Sequence, residues 1–286
     1  MNETTTADDT ALRARLHGMW SGVAPAWGEH ADYADSRSPE LTDRLLQRAG
    51  IAAGQHVLEL ACGPGGAGVA AARLVGDTGE VVLSDVAPEM VAIAAARAEA
   101  LGLGNIRTLV LDLEAIDQPD ETYDAVVCRE GFMFAVDPGR AAREVRRVLR
   151  PGGRASLAVW GPRAQNPWLA LVFDAVSAEL GMEVPPPGVP GPFARSDAAE
   201  LRTILDDAGF ADIRIEEVAA PIRGVGFDEW WWRTRALAGP LASMLAAMAP
   251  ETGVAVEARL REAVRPYESA AGLDLPGVSL LASGRR

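Results

Sequence analysis

Apolar and polar positions run along the first half of this chain in two alternating rhythms. Short apolar runs of strand length fall at Gln55–Leu60, Glu80–Asp85, Ile106–Leu111, Tyr123–Cys128 and Arg154–Trp160. Between them lie stretches rich in helix formers: Ala67–Val75, Glu89–Leu101 behind Pro88, and a segment from Pro138 to Leu149 that Asp137 can cap. Gly102 and the triplet Pro151-Gly152-Gly153 read as breaks. Parallel strands need crossover connections, so this alternation predicts an α/β fold, a parallel sheet with helices on both faces.

The pattern changes on either side of that block. Asp8–Trp20 and Pro39–Ala49 predict two helices ahead of the first strand. After it, Pro167–Leu180 is helical in pattern, and the run Pro185 to Pro192 cannot be regular structure and reads as a stiff surface connector. Asp197 with Glu200 fits a capping box opening a helix that ends near Gly209. Ile213–Val218 is a sixth strand, residues 227–268 predict an insertion of two or three helices, and Val278–Ser283 a terminal strand. Three segments follow: 1–50 as an N-terminal helical lid, 51–161 as a cofactor-binding core, and 162–286 as the rest of the sheet with helical cap insertions near 162–195 and 225–270.

Composition narrows the function classes. The 286 residues are 49% hydrophobic, enough for one sizeable core. A net charge of −13 argues against a nucleic-acid substrate, because such a surface repels a phosphate backbone. The chain has no Lys, which excludes lysine Schiff-base chemistry. Cys62 and Cys128 each end an apolar run and read as buried free thiols. The opening Met1-Asn2-Glu3-Thr4-Thr5-Thr6 lacks a signal pattern and no apolar run reaches membrane-spanning length, so a cytoplasmic location is expected; a homo-oligomer stays open.

The chemistry concentrates in Val57-Leu58-Glu59-Leu60-Ala61-Cys62-Gly63-Pro64-Gly65-Gly66, a strand running into a glycine-rich turn. Gly63, Gly65 and Gly68 satisfy G-x-G-x-x-G, a weak signal alone, and Asp85 closes the next strand 22 residues after Gly63. A carboxylate at that strand end can accept from both hydroxyls of a ribose. Together these describe a pocket for an adenosine-containing cofactor, in a dinucleotide enzyme or a methyltransferase. Glu59 favours the second: an acid inside an apolar strand needs a cation or hydrogen-bond donor beside it, and a dinucleotide fold has no evident use for one. Asp112 ends a further strand, where an adenine amino group could donate.

Five blocks in order then resemble the class I S-adenosylmethionine-dependent methyltransferases of the ubiquinone/menaquinone-biosynthesis (type 11) kind. They are Glu59–Gly65, Leu83–Met90, Leu111–Glu114, Tyr123–Val127 and Val148–Gly153. The resemblance implies a doubly wound, Rossmann-like, mostly parallel seven-stranded sheet with an antiparallel last strand. It implies S-adenosyl-L-methionine as cofactor, S-adenosyl-L-homocysteine as product and a small-molecule acceptor. It places Glu59, Ala61, Gly63 and Gly65 around the methionine moiety, Asp85 on the ribose, and Val86 or Met90 on the adenine face. Asp112 and the Leu113 amide would meet the adenine edge, with Cys128 and Arg129 near the transferable methyl group.

The strand-four end, Cys128-Arg129-Glu130-Gly131-Phe132-Met133-Phe134, lacks both an Asn/Asp-Pro-Pro-Tyr signature and an Asp-Asn pair. No metal is therefore expected. His17, His30 and Glu130 are the general-base candidates, each with a plain surface or ion-pair alternative. Trp20, Trp27 and Tyr33, together with Phe132, Phe134 and Trp231, are expected to line an apolar or aromatic acceptor pocket of a secondary-metabolism type enzyme. Three consecutive tryptophans at 230–232 cannot all hide on one helix face, which favours a cavity for at least one. A non-catalytic cofactor-binding protein of the same fold and an NAD(P)-dependent oxidoreductase are the alternatives.

Overall fold

The computed structural model describes residues 7–186 and 189–286. The polar Met1–Thr6 opening lies outside the described residues, as do two positions of the proline run. Helix α1 (Ala7–Glu29) is longer than the pattern suggested and carries Pro25 inside it. It leads into α2 (Ala31–Ser36) and α3 (Pro39–Ala49). The alternating block follows as β1 (His56–Glu59), α4 (Gly66–Val75), β2 (Glu80–Asp85), α5 (Pro88–Ala100), β3 (Ile106–Val110), β4 (Tyr123–Arg129), α6 (Pro138–Val148) and β5 (Leu149–Trp160). Then come α7 (Pro167–Leu180), α8 (Ala198–Asp207), β6 (Ala211–Ala219), β7 (Ile222–Gly224), α9 (Phe227–Leu237), α10 (Pro240–Ala246), α11 (Pro250–Val264), β8 (Glu268–Ser269), β9 (Gly272–Leu275) and β10 (Val278–Arg285).

Among the described residues seven strands form one sheet in the order β3-β2-β1-β4-β5-β10-β6. The last strand, β10, is inserted antiparallel between β5 and β6, and the remaining neighbours pair in parallel. Alternate residues feed two cores. Val57, Val81, Leu83, Ala125 and Val127 pack with α3 and α4 on one face. Leu58, Val82, Val126, Leu157 and Val159 pack with α6, α7 and α8 on the other. A strand buried on both faces is apolar along most of its length, as these are, with the buried Glu59, Ser84 and Asp85 confined to the ends of β1 and β2.

Local chemistry explains the element ends. Asp137 Oδ1 accepts from the Arg140 amide at 2.8 Å and starts α6. Asp197 Oδ1 accepts from the Ala199 and Glu200 amides and starts α8, but Glu200 does not reciprocate as a capping box would, because it pairs with Arg195. Two further expectations need correction. The triplet at 151–153 does not break the chain: β5 begins at Leu149 and absorbs the triplet as an irregularity, with Gly152 at φ 83. The proline run is not simply a surface connector either, since Pro190, Gly191 and Pro192 are buried. Proline has no N–H to satisfy, so burying it costs less than burying an ordinary loop.

The insertion holds three helices, α9 to α11, as the upper estimate had it, and adds a small antiparallel sheet β7-β9-β8. Its strands are two to four residues long, too short to leave an alternation signal.

Candidate active site

The turn after β1 is built on left-handed backbone. Ala61, Gly63 and Gly65 have φ of 51°, 51° and 89°. A side chain at Gly65 would come within 2.9 Å of Leu83, and one at Gly66 within 1.7 Å of the Asp35 carboxylate. The turn is held from outside as well: Arg97 of α5 donates to the Pro64 carbonyl at 2.6 Å and to Asp35 at 2.7 Å.

Two carboxylates grip this turn. Glu59, 2% exposed, accepts from the Gly68 amide at 2.7 Å. Burial pushes its carboxyl up to about 8, against the opposing pull of the Arg129 charge and the Gly68 amide. Asp85 accepts from the Gly63 amide at 2.9 Å through one oxygen and from the Ala87 amide at 3.0 Å through the other. Burial raises its pKa too, with those amides pulling the other way.

A cavity opens over the turn. Glu59, Ala61, Gly63, Asp85, Val86, Met90, Asp112, Leu113 and Arg129 all line it. Gly65 shapes the turn and Cys128 lies in the core; neither is on the wall. Cys128 faces away because strand alternation points its neighbour Arg129 toward the site, and burial pushes its thiol up to about 12. Arg129 donates to Thr42 Oγ1 at 2.8 Å. Asp112 accepts from the Glu114 amide at 2.8 Å and lies 3.7 Å from His17 Nε2. Helix α1 closes the cavity from above, with Arg13 bonded to the buried Glu114 at 2.6 Å and Trp27 beside Gly63. Arg13 Nη1 and Trp27 Nε1 are buried donors with no hydrogen-bond partner among the described residues.

A second cavity adjoins the first. Trp20, Trp27, Arg37, Glu130 and Phe134 belong to the walls of both and form the partition. Glu130 and Arg37 pair across it at 2.6 Å, each largely buried, with the guanidinium stacked 4.8 Å from the Trp160 ring. Glu130 has φ 63°, a left-handed conformation unfavourable for a residue with a Cβ and one that clusters at functional sites. Beyond the partition lie Tyr33, Trp168, Ile222, Arg233, Thr234 and Pro192.

Three expected acceptor or base residues are elsewhere. Trp231 is buried against Trp230 and Phe132 is likewise buried in the core; neither lines either of these two cavities. His30 sits edge-on to Trp232 at 4.6 Å, away from both cavities. The three-tryptophan argument resolves by exposure: Trp230 and Trp231 are core, and Trp232 is 53% exposed. Arg13, Arg37, Glu114 and Arg233 went unnoticed in the sequence. Each meets its partner or cavity through contacts 93 or 101 residues apart or through cap packing, for which spacing carries no signal. Among the described residues no three His, Cys, Asp or Glu side chains converge as a metal site requires.

The fold and this glycine-turn cavity define an S-adenosylmethionine-dependent methyltransferase, and the chain belongs to that family, class I. Residues 57–153 match a model described as a methyltransferase domain. The chain is similar to the ubiquinone/menaquinone biosynthesis C-methyltransferase UbiE of Escherichia coli O1:K1, 30% identical over 191 residues that cover 61% of this chain and 73% of that protein. The UbiE of Pseudoalteromonas translucida is 36% identical over 138 residues, 48% of this chain and 55% of that one. The YcgJ protein from Bacillus subtilis has the same fold, with a TM-score of 0.59 at 20% identity over 86% of this chain and 98% of its own. The [4+2]-cyclase SpnF gives 0.53 at 25% identity over 86% and 80%. Membership sets aside the NAD(P)-dependent alternative. No described helix is long and apolar enough to cross a membrane.

Proposed function

We propose that the first cavity holds S-adenosylmethionine and that the second holds a small aromatic acceptor, with α1 and α2 of the N-terminal segment acting as the lid over both. One observation carries this reading: two adjoining cavities share a single partition, one built on the glycine turn and two carboxylates, the other walled by Trp20, Trp160, Trp168 and Phe134. The first suits the cofactor's groups. Glu59 can face an ammonium, Asp85 a ribose diol, and the edge formed by Asp112 and Leu113 an adenine amino group. Met90 and Val86 supply an apolar face.

When bound, S-adenosylmethionine supplies a sulfonium-activated methyl group, so what the protein must add is alignment and a dry path. Trp20 and Phe134 sit edge to face at 4.9 Å and restrict where an acceptor ring can lie. Glu130, held by Arg37, is the carboxylate nearest such an acceptor and the stronger base candidate. His17 lies on the cofactor side beside Asp112. The curated relatives are named for carbon methylation in quinone biosynthesis, and an aromatic acceptor agrees with these walls.

A labelled-methyl transfer screen tests the reading. Phenolic, naphtholic and quinol acceptors should take label, and Phe134→Ala should lower the rate at least about tenfold through lost orientation. Transfer confined to aliphatic amines would overturn it.

A further inference from the structure

Four arginines, Arg44, Arg48, Arg154 and Arg214, line a concavity at the far end of the strands from the glycine turn, and among the described residues no carboxylate lines it. Arg44 and Arg48 come from α3, Arg154 from β5 and Arg214 from the edge strand β6. Strand alternation brings them together. Ala158, Val218 and Leu281 pack in the core under α3. Arg154, Arg214 and Ser283 lie an even number of positions away on the same three strands and so share that face. Ser283 stands opposite Arg214 in the pairing of β10 with β6 and is also on the wall. Arg154 comes six residues before Trp160, which lines the second cavity, so about 20 Å of strand separates the two places.

Charge is poorly matched at this concavity. Acidic residues outnumber arginines 40 to 27 in the chain, yet Arg44, Arg154 and Arg214 form no ion pair among the described residues. The carboxylates around them are engaged elsewhere: Glu216 accepts from Arg48 Nε at 3.0 Å, and Asp212 from Arg285 Nε at 2.8 Å. Those hydrogen bonds hold both carboxyls below the usual range, and the charges of Arg44 and Arg214 on Glu216, and of Arg154 and Arg214 on Asp212, add to the effect. Like charges gathered without counter-charge repel. The C-terminal end of α3, where Arg48 lies and Arg154 passes Gly50, offers about half a unit of negative charge against three unpaired guanidiniums.

We infer that this concavity is a binding site for a small phosphate-bearing polyanion, separate from the active site. Guanidinium groups bind phosphate oxygens through paired N–H donors, and several around one hollow suit a ligand with more than one charge. Gln47 and Ser283 add an amide and a hydroxyl, and no apolar side chain lines the wall, so the hollow suits a ligand group without hydrocarbon. An extended polyanion would run beyond the patch onto the surface of a chain of net charge −13, which favours a small one.

The test uses the full chain saturated with S-adenosylhomocysteine and measures binding of inorganic pyrophosphate by calorimetry at fixed ionic strength. Pyrophosphate should bind with a Kd of about 1 mM or tighter. The double variant Arg154→Met/Arg214→Met should weaken it at least about tenfold, with affinity for S-adenosylhomocysteine unchanged as evidence of an intact fold. Where that variant no longer binds S-adenosylhomocysteine, the exposed Arg44→Met takes its place and should weaken pyrophosphate in the same direction. Absence of pyrophosphate binding, or equal binding to parent and variant, overturns the inference. Tighter binding of hexaglutamate or of a single-stranded oligonucleotide than of pyrophosphate overturns the small-ligand assignment.

Discussion

The carboxylate of Glu59 and the amide of Gly68 meet at 2.7 Å inside the turn, and nothing larger than a hydrogen fits between that helix and the strand. A Cβ on Gly68 would come within 2.4 Å of Glu59 Oε2 and 1.9 Å of Leu83 Cδ2. Gly68→Ala should therefore destabilise the protein by about 1–3 kcal/mol through overpacking, although Ala is the better helix former. Chemical denaturation would measure it, and an unchanged midpoint would refute this account of the glycine.

The raised pKa of Glu59 sets a pH dependence. Its folded value of about 8 lies above its ordinary 4.5. Between those values the folded state holds a proton that the unfolded state has released. Its contribution to stability thus falls as pH rises through that window and is flat above about 8. Thermal unfolding of Glu59→Gln should lack this component, so the variant gains on the parent from about pH 5 to about pH 8.

The same group should tune cofactor binding. An ammonium placed beside Glu59 favours the ionised form, so affinity for S-adenosylhomocysteine should rise with pH below about 8, by up to about tenfold per unit. Titration calorimetry in buffers of different ionisation enthalpy should register proton release near neutral pH. Glu59→Gln should abolish both the release and the slope.

Asp85→Ala removes acceptors for two backbone amides as well as for a ribose. Affinity for S-adenosylhomocysteine should fall about 10- to 100-fold, as loss of a charged hydrogen bond implies. Asp85→Asn keeps one acceptor oxygen and should fall less. Equal affinities in all three proteins would remove Asp85 from the cofactor site.

The tryptophan triplet separates packing from exposure. Trp231→Ala opens the core and should cost about 3–5 kcal/mol. Trp232→Ala loses one edge contact with His30 and should cost about 1 kcal/mol or less. Comparable losses in the two variants would contradict the burial difference.

The sheet was legible because its strands announce themselves locally: runs such as Val81-Val82-Leu83 are apolar at every position, and Asp137 and Asp197 mark helix starts unaided. The wall of the first cavity was legible for the same reason, since Glu59 and Asp85 end strands and Gly63 stands in the turn between, in an order the chain fixes. The wall of the second cavity was not. Arg37 reaches Glu130 across 93 positions, and Arg233 enters the second cavity from a cap helix. Trp231 was misplaced because helix angles say that one of three adjacent rings must turn outward, not which one. The small sheet β7-β9-β8 was missed because strands of two to four residues have no period to read.

Trp20 and Trp27 belong to the walls of both cavities and lie on one helix. A ligand that settles either ring into place alters the ceiling seen by the other, so occupancy of the two chambers should be thermodynamically linked. By reciprocity, S-adenosylhomocysteine must change the affinity of an aromatic probe by the same factor as the probe changes that of S-adenosylhomocysteine. On the two-cavity reading proposed above, the departure of α1 then becomes a candidate pacemaker for turnover.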